Sequence, residues 1–312
     1  MADSPILNPV FMIGMPRSGT TAISEALSLH PALGWFSNYL GRLPGFPCVA
    51  YLDRITNNSS FGWLLRGKKS QSKGLISSLR RLLPHTDEAF LIWERCCGSK
   101  FLWDYLINQT ASANERECIQ KYIHRVLRYQ NKKRFFTKLT GPSRICYLKS
   151  IFPDSFFIHT IRDPRAVISS LKQVSFWKDG KGLSEPWWQN GLPPEYIQEW
   201  KNHGETPVAL AAVQWKRVVE LTWEEKNLLL PTNFVEIRYE DFVQNSYGIL
   251  RKLFSMLGLA DSLEAHQYLS SFGEIRNMNY KFSENLTADE IIVIEEITEK
   301  IAHKAGYTFQ KN

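Results

Sequence analysis

The sequence has 312 residues, of which 44% are hydrophobic and 22% are charged. Such a chain can bury a substantial core, which excludes an intrinsically disordered protein and indicates one large α/β domain or two small ones. The net charge of +7 favours anionic ligands, but the sequence lacks the aromatic and basic pattern of nucleic-acid readers. We therefore predict no nucleic-acid partner.

Four short apolar or β-rich runs predict the strands of a sheet. They span residues 10–13, 134–138, 156–161 and 234–238. Runs of this length that are apolar on both faces are typical of buried parallel strands.

Helical patterns lie between these runs and after the last of them. They cover residues 22–27, 119–127, 213–223 and 287–302. The last pattern begins with a capping box formed by Thr287 and Glu290. Strands that alternate with helices favour an α/β fold in which helices cover both faces of a central parallel sheet. We find no domain boundary and expect a single domain over residues 1–312.

Two segments have the composition of loops. Residues 70–78 are rich in Ser, Lys and Gly, and residues 176–207 are rich in Trp, Gly and Pro. A long segment with little periodicity is typical of an active-site cover. We expect residues 176–207 to form such a cover; the alternative is that several of their Trp side chains simply fill the core.

The five cysteines, Cys48, Cys96, Cys97, Cys118 and Cys146, predict neither a disulfide framework nor a zinc site, because their number is odd and none form a CxxC pair. Reduced thiols are typical of a cytosolic protein. No apolar stretch reaches the roughly 18 residues of a membrane span, and no signal peptide is visible. We therefore predict a cytoplasmic location and no membrane span.

The strongest local signal is a glycine-bounded turn between the first strand and the first helix. Gly14 and Gly19 have the spacing of the two glycines of a P-loop, whose backbone N–H groups surround an anion at a helix N-terminus. Nucleotide triphosphatases have Lys after the second glycine, whereas this chain has Thr20, followed by Thr21. The nearby cation is Arg17, whose guanidinium can bind two phosphate or sulfate oxygens.

A second strand-to-helix junction repeats this pattern. The strand at 156–161 leads to Arg162, Pro164 suits the first position of a helix, and Ser170 lies two helical turns onward. Ligands of open α/β sheets bind at the carboxyl ends of strands, where Arg162 is expected.

These two motifs resemble the 5′-phosphosulfate loop and the 3′-phosphate motif of sulfotransferases that use 3′-phosphoadenosine-5′-phosphosulfate (PAPS). The form of residues 15–21 is closer to bacterial, carbohydrate and tyrosylprotein sulfotransferases than to the aryl ones, which have Lys at the position of Arg17 and Trp at that of Ala22. The resemblance implies a P-loop-like three-layer fold. It implies that PAPS binds to Arg17, Ser18, Gly19, Thr20, Thr21, Arg162, Ser170, Tyr239, Ser270 and Phe272.

The resemblance also implies in-line transfer of a sulfuryl group to a hydroxyl-type acceptor, with no metal. Arg17 and Lys138 are the candidates for stabilising charge on the leaving oxygen. The acceptor can be a small molecule, a carbohydrate or a lipid or polyketide; the sequence identifies neither the acceptor nor the oligomeric state.

The base that accepts the proton of the hydroxyl is not given by the family pattern. Aryl-type relatives have a His two residues after the Lys that matches Lys138; at that position this chain has Thr140. The Glu of the tyrosylprotein type, which follows the first helix, is also missing. The remaining candidates are Glu94, Glu88 and, third, His85.

Two alternatives stay open at the level of sequence. One is a P-loop kinase or NTPase, in which Asp163 after an apolar strand would bind magnesium. The other is a non-catalytic nucleotide-binding protein of the same fold, since the usual base is missing.

Overall fold

A computed structural model describes residues 6–57, 83–178, 182, 184–271 and 276–309. Five parallel strands form one sheet with the order β2-β3-β1-β4-β5. The strands are β1 (Val10–Gly14), β2 (Leu33–Gly34), β3 (Arg134–Thr140), β4 (Phe156–Ile161) and β5 (Phe234–Arg238). Non-consecutive neighbours require crossover connections, which helices provide.

The helices pack on both faces of this sheet. In chain order they are α1 (Thr20–Ser28), α2 (Asn38–Arg42), α3 (Arg54–Asn57), α4 (Phe90–Cys97), α5 (Lys100–Trp103), α6 (Ala113–Gln130), α7 (Ile145–Ile151), α8 (Pro164–Leu171), α9 (Ser175–Lys178), α10 (Pro194–Asn202), α11 (Pro207–Glu225), α12 (Tyr239–Gln244), α13 (Ser246–Met256), α14 (Leu263–Ser270), α15 (Phe282–Asn285) and α16 (Ala288–Lys304).

Alternate residues of the central strand β1 enter two different cores. Phe11 and Ile13 pack with α4, α6 and α7, whereas Val10 and Met12 pack with α1, α13 and α14. A third core lies among α8, α11 and α16. Because β1 is buried on both faces, its sequence is apolar at every position before the terminal glycine.

The predicted fold class is confirmed: a central parallel sheet is covered by helices on both faces, in a P-loop-like three-layer arrangement. Each predicted strand is present and starts at the predicted residue; β1 and β3 extend one and two residues further. Strand β2 was not predicted, because its two residues are too few to form an apolar run. The four helical patterns correspond to α1, α6, α11 and α16. Thr287 is the N-cap of α16, and its predicted capping box with Glu290 is present.

The Trp-rich segment is not the continuous loop that its composition predicts. Residues 194–202 of this segment form α10, with Pro193 as the N-cap and Pro194 as the first helical residue. The segment also starts inside α9. The prediction of a loop at residues 70–78 lies outside the described residues.

The prediction that all five cysteines are reduced is wrong for two of them. A disulfide joins Cys96 of α4 to Cys118 of α6, with their Cα atoms 5.3 Å apart. The two helices pack against each other, and this contact brings together residues 22 positions apart in sequence. Cysteine spacing alone carries no information on such a contact.

We expect thiol titration of the unfolded, unreduced protein to detect Cys48, Cys97 and Cys146 only. Reduction should expose all five thiols and lower the free energy of unfolding by about 3 kcal/mol, the value for a closed loop of this length. Five thiols before reduction would contradict the disulfide.

Candidate functional site

The turn after β1 has a shape that requires its two glycines. Gly14 has φ of +145° and Gly19 has φ of +79°, and a Cβ at either position would lie 2.3 Å from another atom. At Gly14 that atom is the carbonyl oxygen of Thr160; at Gly19 it is a ring carbon of Tyr239. The glycines therefore let β4 and Tyr239 approach the turn closely.

The turn has N–H and O–H donors from which an anion can accept hydrogen bonds. Within the described residues, no side chain caps the first turn of α1, whose N-cap is Gly19, so the N–H groups there are available. The hydroxyl oxygen of Ser18 is buried and has no hydrogen-bond partner among the described residues. Arg17 adds a positive charge and takes a left-handed φ of +74°. These features fit a phosphate or sulfate group at the turn.

The second predicted motif lies directly against this turn. Arg162 follows β4 and donates from Nη1 to the carbonyl oxygen of Arg17 at 3.0 Å. Arg17 in turn donates from Nε to the hydroxyl oxygen of Ser170 at 2.8 Å. The two motifs, 145 residues apart in sequence, therefore form one cationic site at the carboxyl end of the sheet.

Arg162 is held in place from several sides. Its guanidinium carbon lies 4.2 Å from the ring centroid of Tyr239, and its Nε donates to Oδ1 of Asn279 at 2.9 Å. Burial lowers the pKa of Arg162, while the nearby Tyr239, Glu240 and Asp163 act in the opposite direction. The guanidinium keeps its charge in a site that excludes most water, which strengthens its interaction with an anion.

Tyr239 lines the same site. It begins α12 at the end of β5, where Arg238 pairs with Ile161, the residue before Arg162. Its hydroxyl donates to the carbonyl oxygen of Arg276 and accepts from the N–H of Met278. The register of β4 and β5 thus places Tyr239 beside Arg162.

Sequence reasoning assigned no role in this site to three residues, which are Asn279, Glu240 and Tyr307. Asn279 binds Arg162 and also donates from Nδ2 to Glu240 at 2.7 Å. Glu240 accepts from the N–H of Asp163 and from the hydroxyl of Tyr307. Glu240 and Tyr307 lie in the segments Arg238–Phe242 and Gly306–Tyr307, which also resemble segments of PAPS-dependent sulfotransferases, so the sequence held a signal for them. It held none for Asn279.

The other predicted nucleotide-binding residues are placed as follows. Thr20 is buried and Thr21 exposed, both at the start of α1. The hydroxyl of Ser270 donates to the carbonyl oxygen of Gln267 within α14, a helix that packs on α1. Phe272 lies outside the described residues.

A second group of polar side chains meets the turn from β3. Thr140 pairs with Gly14 in the sheet, and the N–H of Gly141 donates to the carbonyl oxygen of Gly14. The carboxylate of Glu88 accepts from the N–H and the hydroxyl of Thr140, at 3.1 and 2.8 Å. Its other oxygen lies 3.3 Å from Nζ of Lys138. Glu88 and Lys138 therefore form an ion pair at the edge of the anion site.

A buried cation lies near this pair. Arg144 is almost fully buried, and burial lowers its pKa to about 10, partly offset by the charge of Glu88. Its guanidinium donates to the carbonyl oxygen of Pro142 and lies 5.1 Å from the ring centroid of Phe101. Arg144 adds positive potential at this end of β3.

The other two candidate bases lie elsewhere. Glu94 is half-buried in the middle of α4, and its side chain makes no hydrogen bond or ion pair with the described residues. His85 contacts the carbonyl oxygen of Leu83 through Nδ1, and its backbone pairs with Asn38. The contacts of the described residues join neither side chain to Lys138 or Arg17.

Part of the Trp-rich segment borders the same end of β3. The ring of Trp188 lies so close to Gly141 that a Cβ there would be 2.7 Å from it. Trp188 also lines a cavity of about 520 Å³, together with Asn190, Leu192 and Arg217. Trp177 and Trp188 are buried in the core, which agrees with the alternative that some of these side chains fill it.

We expect Gly19→Ala to weaken nucleotide binding at this site. A Cβ on this left-handed backbone, pressed against the ring of Tyr239, introduces about 1–3 kcal/mol of strain. The affinity for 3′-phosphoadenosine-5′-phosphate (PAP) should therefore fall by roughly tenfold or more. Gly258→Ala is the matched control, because Gly258 also has positive φ but no atom within 4 Å of its Cβ position. Isothermal titration of both variants measures the difference; equal affinities would contradict the close approach of Tyr239.

Comparisons with known proteins agree on one family. A family model described as "Sulfotransferase family" matches residues 9–262. A Mycobacterium bovis protein named omega-hydroxy-beta-dihydromenaquinone-9 sulfotransferase Stf3 is 27% identical over 328 residues, which cover 96% of this chain and 75% of that protein. A Mycobacterium tuberculosis protein of the same name matches equally well.

Solved structures share the fold. The sulfotransferase STF9 from Mycobacterium avium superposes with a TM-score of 0.60 at 17% identity, covering 99% of this chain and 80% of that one. STF1 from Mycobacterium tuberculosis gives a TM-score of 0.50 at 16% identity, covering 96% and 77%.

Proposed function

We propose that this chain, which belongs to the sulfotransferase family, transfers a sulfuryl group from PAPS to a hydroxyl-type acceptor. The proposal takes residues 1–312 as one sulfotransferase domain. It rests most directly on the contact between the Arg17 turn and Arg162, which gives one site two separate cationic positions. A nucleotide with a phosphate group at each end of its ribose matches such a site.

The residues at the turn would hold the 5′-phosphosulfate of the donor. Arg17, Ser18 and the N–H groups of Gly19, Thr20 and Thr21 supply its hydrogen bonds. When bound, PAPS supplies the transferable sulfuryl group.

The other end of the site would hold the rest of the nucleotide. Arg162 and Ser170 would bind the 3′-phosphate, and Tyr239 would border the adenine, together with Ser270 and Phe272. Asn279 keeps the Arg162 side chain in position.

Lys138 supplies the positive charge next to the transfer. Lys138 lies on β3 beside Met12 of β1, and its ammonium group contacts Glu88. Together with Arg17, it would stabilise the negative charge that develops on the leaving oxygen. The resemblance implies that no metal takes part, and this stays a prediction.

We propose Glu88 as the base that accepts the proton of the acceptor hydroxyl. Thr140 occupies the position of the His of aryl-type relatives, and its N–H and hydroxyl hold the Glu88 carboxylate at that place. A carboxylate from the segment before α4 thus takes the position of the missing side chain. Glu94 has no comparable contact, so we place Glu88 ahead of it.

The hydrogen bonds of Asp163 disfavour the alternative of a magnesium-dependent kinase or NTPase. Both of its carboxylate oxygens accept hydrogen bonds from Arg165, and one also caps α8. The ion pair with Arg165 neutralises the charge that a magnesium ion needs.

The Mycobacterium bovis relative is named for a lipid acceptor, and we propose a lipid hydroxyl as the first acceptor class to test. In the part of the chain that the structure describes, no helix is both long and apolar enough to cross a membrane. The cytoplasmic location stays a prediction. Reduced cysteines no longer support it, because Cys96 and Cys118 form a disulfide.

A thermal-unfolding titration tests the donor. PAP should raise the melting temperature without magnesium, and ATP with magnesium should raise it much less. Strong stabilisation by ATP that depends on magnesium would contradict the proposal. Mass spectrometry of a hydroxyl acceptor incubated with PAPS then separates an enzyme from a protein that only binds nucleotides, through the mass of one added sulfuryl group.

A further inference from the structure

Large apolar side chains are exposed together on one face of the molecule. They belong to the segment after α2, which includes a 3-10 helix at Pro47–Asp53 and ends in α3. We call this surface the Phe46 face; it consists of Leu43, Phe46, Tyr51, Leu52, Ile55 and Leu91, which are 44% to 61% exposed. Scattered exposed apolar residues are common, but six of them on elements that pack against one another indicate an interaction surface.

The members of the Phe46 face are neighbours in space. The 3-10 helix packs along α6 and against α2, and α2 packs against α4. A Cβ at Gly45 would lie 3.3 Å from Nη1 of Arg95, which places the side chain of Arg95 beside the segment. Leu91 lies one helical turn before Arg95 on the same side of α4.

The charge of this surface is positive. Arg42, Arg54 and Arg95 lie among the apolar side chains, and the guanidinium of Arg54 is 4.6 Å from the ring centroid of Tyr51. Between residues 42 and 57 the one carboxylate is Asp53, which is buried and accepts a hydrogen bond from Gln130. The sequence that continues from this surface, residues 58–82, contains six Lys or Arg and no Asp or Glu.

The Phe46 face is also close to the site described above. Leu91 follows Glu88 by three residues, at the start of α4. On the other side, a Cβ at Gly41 of α2 would lie 3.0 Å from a carboxylate oxygen of Asp87, the residue before Glu88. The segment that carries Glu88 therefore connects the anion site to the exposed apolar surface.

We propose that the Phe46 face docks on the surface of an anionic lipid membrane, so that a membrane-borne hydroxyl can reach Glu88. Apolar and aromatic side chains enter the interfacial layer, while arginines pair with anionic headgroups. This combination fits a bilayer better than a second copy of the chain, because two copies would bring the same positive charges together. The inference rests on the proposed function for the acceptor, but membrane docking is measured without turnover.

Co-sedimentation with vesicles tests the proposal. The probes are vesicles of phosphatidylglycerol and phosphatidylcholine, and vesicles of phosphatidylcholine alone. The protein should bind the anionic vesicles, and Phe46→Ser combined with Leu52→Ser should weaken binding by roughly tenfold or more. Leu228→Ser combined with Leu230→Ser is the matched control, since both residues are exposed leucines outside the Phe46 face, and it should bind like the original chain.

Four results would overturn the proposal. They are no binding of the original chain to anionic vesicles, equal binding to neutral vesicles, equal loss in the two double variants, and a dimer in solution that the Phe46 and Leu52 changes dissociate. Unchanged melting temperatures exclude misfolding as the cause of a loss, and turnover of a water-soluble hydroxyl acceptor should be unchanged in both double variants. Vesicle binding with no sulfuryl transfer to any acceptor would leave the docking surface intact and contradict the proposed function instead.

Discussion

Glu88→Gln is expected to lower kcat by about 10²–10⁴-fold, the usual contribution of a positioned general base. The change keeps the shape of the side chain and one oxygen that can accept from Thr140, so the local structure should be retained. The affinity for PAP should change little, because Glu88 contacts Lys138 and Thr140 and not the Arg17 turn. Steady-state kinetics with PAPS and a hydroxyl acceptor, together with titration of PAP, measure both quantities.

Glu94→Gln is the matched control for this experiment. Glu94 lies six residues further along the chain and is half-buried, and its side chain makes no hydrogen bond or ion pair with the described residues. Its replacement should leave kcat within about twofold of the original value, as for surface changes remote from a site. If Glu94→Gln lowers kcat and Glu88→Gln does not, the base is Glu94, and the interpretation of the Thr140 contact is wrong.

Arg162→Ala should weaken PAP binding strongly and selectively. A hydrogen bond to a charged group contributes about 1.5–3 kcal/mol, so we expect the Kd for PAP to rise roughly 10- to 150-fold. Adenosine-5′-phosphosulfate has no 3′-phosphate, and its Kd should rise much less. Arg162→Ala also removes the hydrogen bond to the carbonyl oxygen of Arg17, which can affect the binding of both nucleotides. The ratio of the two increases in Kd therefore isolates the contribution of the 3′-phosphate contact.

Arg251→Ala controls for the loss of one positive charge. Arg251 is exposed on α13 and pairs with Asp261, outside the nucleotide site. It should leave both affinities unchanged. Equal losses for PAP and adenosine-5′-phosphosulfate in Arg162→Ala would show that Arg162 does not recognise the 3′-phosphate.

The sequence was sufficient to predict the parts of the site that follow directly from strand ends. Gly14, Arg17 and Gly19 occur within one short turn, and Arg162 ends an apolar run. Local sequence patterns therefore predicted both the turn and the motif at Arg162. The register of β1 with β4 then places the two motifs side by side. This arrangement is a consequence of parallel strands, whose carboxyl ends meet at one edge.

Other features depend on contacts that no local pattern encodes. Glu88 meets Thr140 across 52 residues of sequence, and Asn279 meets Arg162 across 117. The disulfide of Cys96 and Cys118 likewise depends on the packing of α4 on α6. Each contact joins elements that are adjacent only in the folded chain, and a single sequence without its structure does not specify them.

A crystal structure with PAP bound would show whether one nucleotide reaches both arginines. The prediction for this structure is that the 5′-phosphate lies at the Arg17 turn, within hydrogen-bond distance of Ser18, and that the 3′-phosphate of the same molecule lies at Arg162 and Ser170. The carboxylate of Glu88 should lie on the open side of the 5′-phosphate. A nucleotide that touches only one of the two arginines, or that binds at another surface of the protein, would contradict it.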